Sequence, residues 1–148
     1  MKIVINKCFG GFGLSRKAIQ DYLKRKHKKA YFYTNIKDGH LFEDENHKTL
    51  YRRDLDDEDS IFFHVTTKDM GDSFTDDELN SMPNKCYFSF YDIDRTDKDL
   101  IAVIELLGHE ANTQFSDLKV VEIPDNIEWE IDEYDGRETI NETHQSWG

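Results

Sequence analysis

The sequence predicts an α+β fold, with a mixed-sheet α/β arrangement as the other option. It places about six or seven strands and two main helices in a single domain spanning residues 1–148. Three observations carry this. Short apolar runs rich in β-branched and aromatic residues recur along the chain, as at KIVIN (2–6), AYFYT (30–34) and LKVVEI (118–123). Two segments have helical spacing of apolar residues, one after Ser15 and one after Thr96. At 148 residues and 17.5 kDa, the length suits one domain.

Lys2–Asn6 reads as a buried strand. It runs into KCFGGFG (7–13), with three glycines in four positions. Ser15 can cap a helix extending to about His27, which sets Ala18, Ile19, Tyr22 and Leu23 on one face. Its Lys-rich end suits the helix dipole. Ala30–Thr34 is the next strand, and Asp38-Gly39 marks a turn. Residues 40–60 are polar and mixed, a hairpin or long loop, with a loop-like acidic run at Asp54–Asp59. Ser60–Thr67 carries apolar residues on both faces and should be a covered, central strand.

Thr75 and Glu78 have the spacing of a capping box, opening a short helix that must end before Pro83. Lys85–Tyr91 reads as an aromatic strand. Thr96 is expected to cap the clearest helix, with Leu100, Val103, Ile104 and Leu107 inward and Gly108 at its C-terminal end. Leu118–Ile123 is a strand ended by Pro124. In Ile127–Tyr134 the residues Ile127, Trp129 and Ile131 alternate with Glu128, Glu130 and Asp132. Asp135-Gly136 is a hairpin turn, and Arg137–Glu142 returns beside it.

Charge narrows the function. Nineteen Lys and Arg against 31 Asp and Glu give −12, which excludes a nucleic-acid binder that works by bulk charge. The charge is uneven. Residues 16–29 hold seven bases and one acid, net +6, which leaves −18 for the rest. Residues 125–142 hold eight acids and one base. Each segment can be a solvated face, or the basic helix can lie against an anionic ligand or the protein's own acidic face. No apolar run approaches a membrane span, and Met1–Asn6 has no signal-peptide anatomy. Two cysteines, at 8 and 86, suggest neither a disulfide framework nor a metal cage. The expected setting is a soluble, reduced, intracellular one.

The best local candidate for a site is the turn after the first strand. A strand, a glycine loop and a capped helix can present backbone N–H groups to a phosphate. The candidate ligand-binding residues are Cys8, Phe9, Gly10, Gly11, Phe12, Gly13, Ser15 and Arg16. Phe9 and Phe12 would stack on a base if exposed and would be core if buried. Tyr31 and Tyr33 carry the same two readings. The spacing matches neither common phosphate-loop motif, so a tight strand-to-helix turn explains it equally well.

Other residues offer less. The six histidines (27, 40, 47, 64, 109 and 144) form no metal-binding pattern, and Cys8 has no activating context as a nucleophile. Glu128, Glu130 and Asp132 share a strand face that could bind Mg²⁺ or Ca²⁺, or dock on a basic protein. Solubility alone also explains them. No catalytic residue, metal site or cofactor is indicated.

Lys2–Ser15, KIVINKCFGGFGLS, resembles the opening of a family of small, uncharacterised bacteriophage proteins. Leu118–Gly136, LKVVEIPDNIEWEIDEYDG, resembles a matching stretch of that family, LKVVEIPDGVEWEIEEYDG-like. The helix Asp99–Gly108, Ala111-Asn112, and the tail His144 to Trp147 fit as well, although Gln145 stands where the family has a base. Residues of about 30–95 diverge. The resemblance implies a phage origin and a life in the cytoplasm of the infected bacterium, but no mechanism. By context it suggests an anti-defence role: a sponge that sequesters a nucleotide immune signal, or a protein that blocks a host defence protein. The partner expected is therefore a small anionic, nucleotide-like ligand bound without turnover. The alternatives are inhibition of a host protein through the acidic surface, or a metal-dependent phosphodiesterase using carboxylates near 128–135. Bulk nucleic acid and membrane are not expected partners, and a homo-oligomer is open.

Overall fold

A computed structural model describes residues 1–34, 36–37, 40–41, 49–53, 63–83 and 86–142. Among them are eleven strands and three α-helices. In chain order these are β1 (Lys2–Asn6), α1 (Arg16–Arg25), β2 (Tyr31–Thr34), β3 (Ile36–Lys37), β4 (His40–Leu41), β5 (Thr49–Arg53), β6 (His64–Thr66) and β7 (Ser73–Thr75). There follow α2 (Asp76–Asn80), β8 (Tyr87–Phe88), α3 (Lys98–Leu107), β9 (Leu118–Glu122), β10 (Trp129–Tyr134) and β11 (Arg137–Glu142). Every strand pair is antiparallel, so the class is α+β and not the mixed-sheet alternative. The strands exceed the six or seven expected by β3, β4, β5 and β7: β3 and β4 have two residues each and β7 three, too short to show a period, and β5 falls in the segment 40–60 expected as a hairpin or long loop.

The chain divides into two compact units, Met1–Tyr22 with Phe90–Gly148, and Leu23–Ser89. In the first, β1 pairs with β9, Lys2 facing Glu122 and Asn6 facing Leu118. Ile3, Val4 and Ile5 are fully buried, as their β-branched run predicts. β10 and β11 form a hairpin closed by Asp135 and Gly136. Both have positive φ, 50° and 88°, the backbone a two-residue turn of this hand requires. Trp129 and Ile131 are only half-buried, while Glu128, Glu130 and Asp132 are exposed.

Ser15 caps α1 as expected: its Oγ accepts from the Ala18 N–H at 3.1 Å. The predicted face, Ala18, Ile19, Tyr22 and Leu23, is buried. The cap of α3 is Asp97, not Thr96. The Asp97 carboxylate accepts from the N–H groups of Asp99 and Leu100, while the Thr96 hydroxyl is spent on Asp94 at 2.6 Å. Asp94 draws Thr96 into a local turn and leaves the next acid to meet the helix. Leu100, Val103 and Ile104 are buried, and Gly108 ends the helix at φ 58°.

In the second unit the sheet order is β7-β5-β2-β6-β8, with β2 in the middle. Tyr33, Leu50 and Phe74 form its core, and Phe74 meets the Tyr33 ring edge-on at 4.7 Å. The Tyr33 hydroxyl donates to the Gly71 carbonyl at 3.0 Å and accepts from Arg52 at 2.8 Å, so this ring is core and not a stacking platform. Tyr31 lies under the Arg52 guanidinium at 5.1 Å. Thr75 caps α2 through the Glu78 N–H at 3.3 Å, and the helix stops before Pro83. The strand expected at 85–91 shrinks to Tyr87–Phe88, because Phe90–Asp92 turns into a 3-10 helix. β6 is interior, between β2 and β8. Asp38-Gly39, the run 54–59, residues 60–62, Lys85 and the tail 143–148 lie outside the described residues.

Candidate functional site

The glycine loop, residues 8–13, is built on Asn6. This last residue of β1 is fully buried, and both ends of its side chain are used. Nδ2 donates to the carbonyls of Cys8 at 2.7 Å and Gly136 at 2.8 Å. Oδ1 accepts from the N–H groups of Cys8 at 3.2 Å and Asp117 at 2.8 Å. One amide therefore ties together the loop, the hairpin turn and the start of β9. The Asn6 backbone N–H donates to the buried Glu138 carboxylate at 2.8 Å.

Glu138 also receives a fork from Arg95, at 2.6 and 2.9 Å. Arg95 donates a further bond to the Val4 carbonyl at 3.2 Å, and its guanidinium lies 3.6 Å from the centroid of Phe12. Withdrawing a charge pair from water is costly unless further hydrogen bonds support it, and here the Asn6 N–H supports the buried Glu138 and the Val4 carbonyl the part-buried Arg95. Phe12 is buried in this arrangement and packs 6.0 Å from Phe90, so of its two readings it takes core.

Glycines set how closely the pieces approach. A Cβ on Gly10 would overlap the Cβ and carbonyl of Phe115, so no other residue fits there. A Cβ on Gly136 would overlap Gly11 N and Phe9 O, so the hairpin tip sits directly on the loop. Gly11 differs: its φ of 97° demands glycine, but the space where a side chain would stand is open. The Gly13 carbonyl accepts from Ser116 Oγ at 3.0 Å.

The start of α1 is occupied by the protein. Ser15 N–H donates to the Ala111 carbonyl at 2.9 Å, and Ser15 Oγ donates to the Glu110 carbonyl at 2.7 Å. Lys17 pairs with Glu110 at 3.2 Å. Arg16 is buried and engaged within the protein. Cys8 is a half-buried free thiol.

Exposed groups gather on the outer side of the same loop. Phe9 is 54% exposed, Phe115 46% and Tyr134 79%. Arg137 stands opposite Tyr134 in the hairpin, and its guanidinium lies 5.8 Å from the Phe9 ring centroid. The face thus offers the exposed Phe9 ring, a cation beside it and open space on the side-chain side of the Gly11 Cα. Of the expected residues, Phe9, Gly10 and Gly11 lie on it, whereas Phe12, Gly13 and Arg16 are buried and build it. Phe115, Arg137, Arg95 and Glu138 are additions that the sequence did not single out. The only local hint was Arg137 as the lone base in an acidic run.

Among the described residues, no group of three or more His, Cys, Asp or Glu is placed to hold a metal ion. The Asp132 carboxylate accepts from Asn141 across the hairpin. His64 Nδ1 lies 3.2 Å from the Tyr87 hydroxyl, whose pKa burial raises. No helix among the described residues is long and apolar enough to cross a membrane.

These features define a class: an α+β protein with an aromatic-flanked glycine loop braced by an ion pair between a buried glutamate and a part-buried arginine. Compared with known proteins, the chain matches no family model, no curated protein and no solved structure.

Proposed function

We propose that this chain works by binding, without turnover, a small nucleotide-like anion at the outer face of the glycine loop. The observation that carries the reading is the exposed Phe9 ring with the Arg137 guanidinium beside it, next to the open space on the side-chain side of the Gly11 Cα. An accessible ring supplies a stacking platform worth about 1–3 kcal/mol per base. The cation supplies local attraction for a phosphate in a chain of net charge −12. Phe115, whose backbone and Cβ abut Gly10, is exposed as well. The phage resemblance supports an accessory, counter-defence role in the infected bacterium, in which the ligand is a nucleotide immune signal held out of circulation.

The test is incubation of the purified chain with mono-, di- and cyclic nucleotides, followed by mass spectrometry of the ligand recovered from it. Intact ligand at one copy per site is expected. Phe9→Ala and Arg137→Ala should each weaken binding at least tenfold while the fold survives, since both side chains are exposed. Altered ligand, formed by wild type and abolished by chelator, would replace this reading with the phosphodiesterase.

A second reading rests on the exposed Glu128, Glu130 and Asp132, which could dock the chain on a basic host protein. Such binding should weaken steeply as salt rises, because exposed charges are screened beyond about 8–10 Å. Stacking of a base on Phe9 should respond far less.

A further inference from the structure

We infer that the outer edge of β9 is a strand-addition site for an extended, basic peptide segment, separate from the glycine loop. The alternation of an antiparallel pair fixes which backbone groups face outward. Ile123 and Met1 exchange hydrogen bonds, and the Lys7 N–H donates to the Asp117 carbonyl. The odd-numbered residues of β9 therefore turn their N–H and C=O toward β1, and Leu118, Val120 and Glu122 turn theirs away. Val4, facing Val120, agrees: its own N–H points outward to the Arg95 carbonyl. On the outer side the Leu118 N–H is taken by Asn112 Oδ1 at 2.8 Å. β9 has no second strand neighbour among the described residues, which leaves Val120 and Glu122 as the edge on offer.

Beside this edge runs an open groove of about 280 Å³ between the end of α3 and β9. Ile104, Leu118 and Val120 give it an apolar lining, with His109 at its rim. A backbone edge next to a helix, with an apolar groove between them, suits a peptide strand: main-chain bonds hold it and alternate side chains enter the groove.

Charge chooses the peptide. Glu105 and Asp117, which line the groove, each have a lysine partner, Lys2 and Lys119 respectively. Glu122 is exposed; Lys2 stands opposite it in β1 and interacts with its charge, but Lys2 Nζ is bonded to Glu105, and Glu122 has no ion pair within 4 Å among the described residues. An antiparallel guest would place a Lys or Arg directly opposite Glu122 and, two residues on, an aliphatic side chain opposite Val120. Opposite charges across a strand pair favour this register.

The probe is the peptide acetyl-Thr-Lys-Thr-Val-Thr-amide, added to the ¹⁵N-labelled full chain at about millimolar concentration, where weak binding is still detected. Amide shifts at Val120 and Glu122, and at least tenfold slower hydrogen exchange of the Val120 N–H, are expected. N-methylation of the peptide valine should abolish both, while methylation of the threonine before it, whose N–H faces away, should not. Glu122→Lys should transfer the preference to the peptide with Glu in place of Lys, and this variant keeps every backbone bond. Absence of shifts at Val120, shifts insensitive to N-methylation, or Val120 shifts that follow protein concentration without peptide would each overturn the inference. The last would mean that a second copy covers the edge.

Discussion

At the residue scale, the glycine loop depends on side chains that do no binding themselves. Asn6 uses four hydrogen bonds to join three segments, and Glu138 neutralises Arg95 while holding the Asn6 N–H. Glu138→Ala would leave the part-buried Arg95 charge without its carboxylate. It should cost about 3 kcal/mol in chemical denaturation, and the double change Arg95→Met with Glu138→Leu should recover much of that. The glycines separate in the same way. Gly10→Ala drives a methyl into the backbone of Phe115 and should abolish the fold, whereas Gly11→Ala pays only for its positive φ, about 1–2 kcal/mol. The sequence shows that these glycines are special, because three in four positions between a strand and a capped helix need a reason. It does not show which one meets Phe115, because that contact spans more than a hundred positions. Asn6, Arg95 and Glu138 are unremarkable in their local windows for the same reason.

At the element scale, the helices were legible because their information is local. The faces Ala18–Ile19–Tyr22–Leu23 and Leu100–Val103–Ile104 follow from spacing alone, as does the Ser15 cap. The end of α1 was harder. The helix stops at Arg25 because His27 turns left-handed at φ 61°, with the His27 N–H bonded to the Lys24 carbonyl and the Lys28 N–H to the Leu23 carbonyl. This is the six-to-one, five-to-two closure usually built on glycine. A histidine there carries a strain that glycine would relieve, so His27→Gly should raise stability by about 0.5–1 kcal/mol in urea unfolding. The cap of α3 was misplaced by one residue because Thr96 and Asp97 are both good caps, and only the neighbouring Asp94 decides between them. Short strands such as β3, β4 and β8 owe their existence to partners rather than to their own pattern.

At the scale of the whole molecule, charge sets the response to solution conditions. Among the described residues three carboxyls are held below their ordinary range: Asp69 by the Gly71 N–H and then Arg52, Asp94 by the Thr96 hydroxyl and N–H, and Asp125 by the N-terminal ammonium. A carboxyl depressed on folding adds stability above its unfolded pKa and loses it as pH falls through the folded value. The net charge of −12 acts oppositely near neutrality, because self-repulsion eases as pH approaches the isoelectric point of about 4.8. Melting temperature should therefore hold or rise from pH 7 to about 5 and fall below about pH 4, and added salt at pH 7 should raise it. The proposed binding of a nucleotide-like anion at the face of Phe9 and Arg137 is tested by a thermal-shift screen of nucleotides and cyclic nucleotides against wild type and the Phe9→Ala/Arg137→Ala variant. A ligand at 100 times its Kd adds about 2.7 kcal/mol, which for a chain of this size raises Tm by about 5–11 °C. Such a shift is expected in wild type and none in the variant, with the two unliganded proteins melting alike. An equal shift in both, or no shift in wild type across the panel, would contradict the proposal.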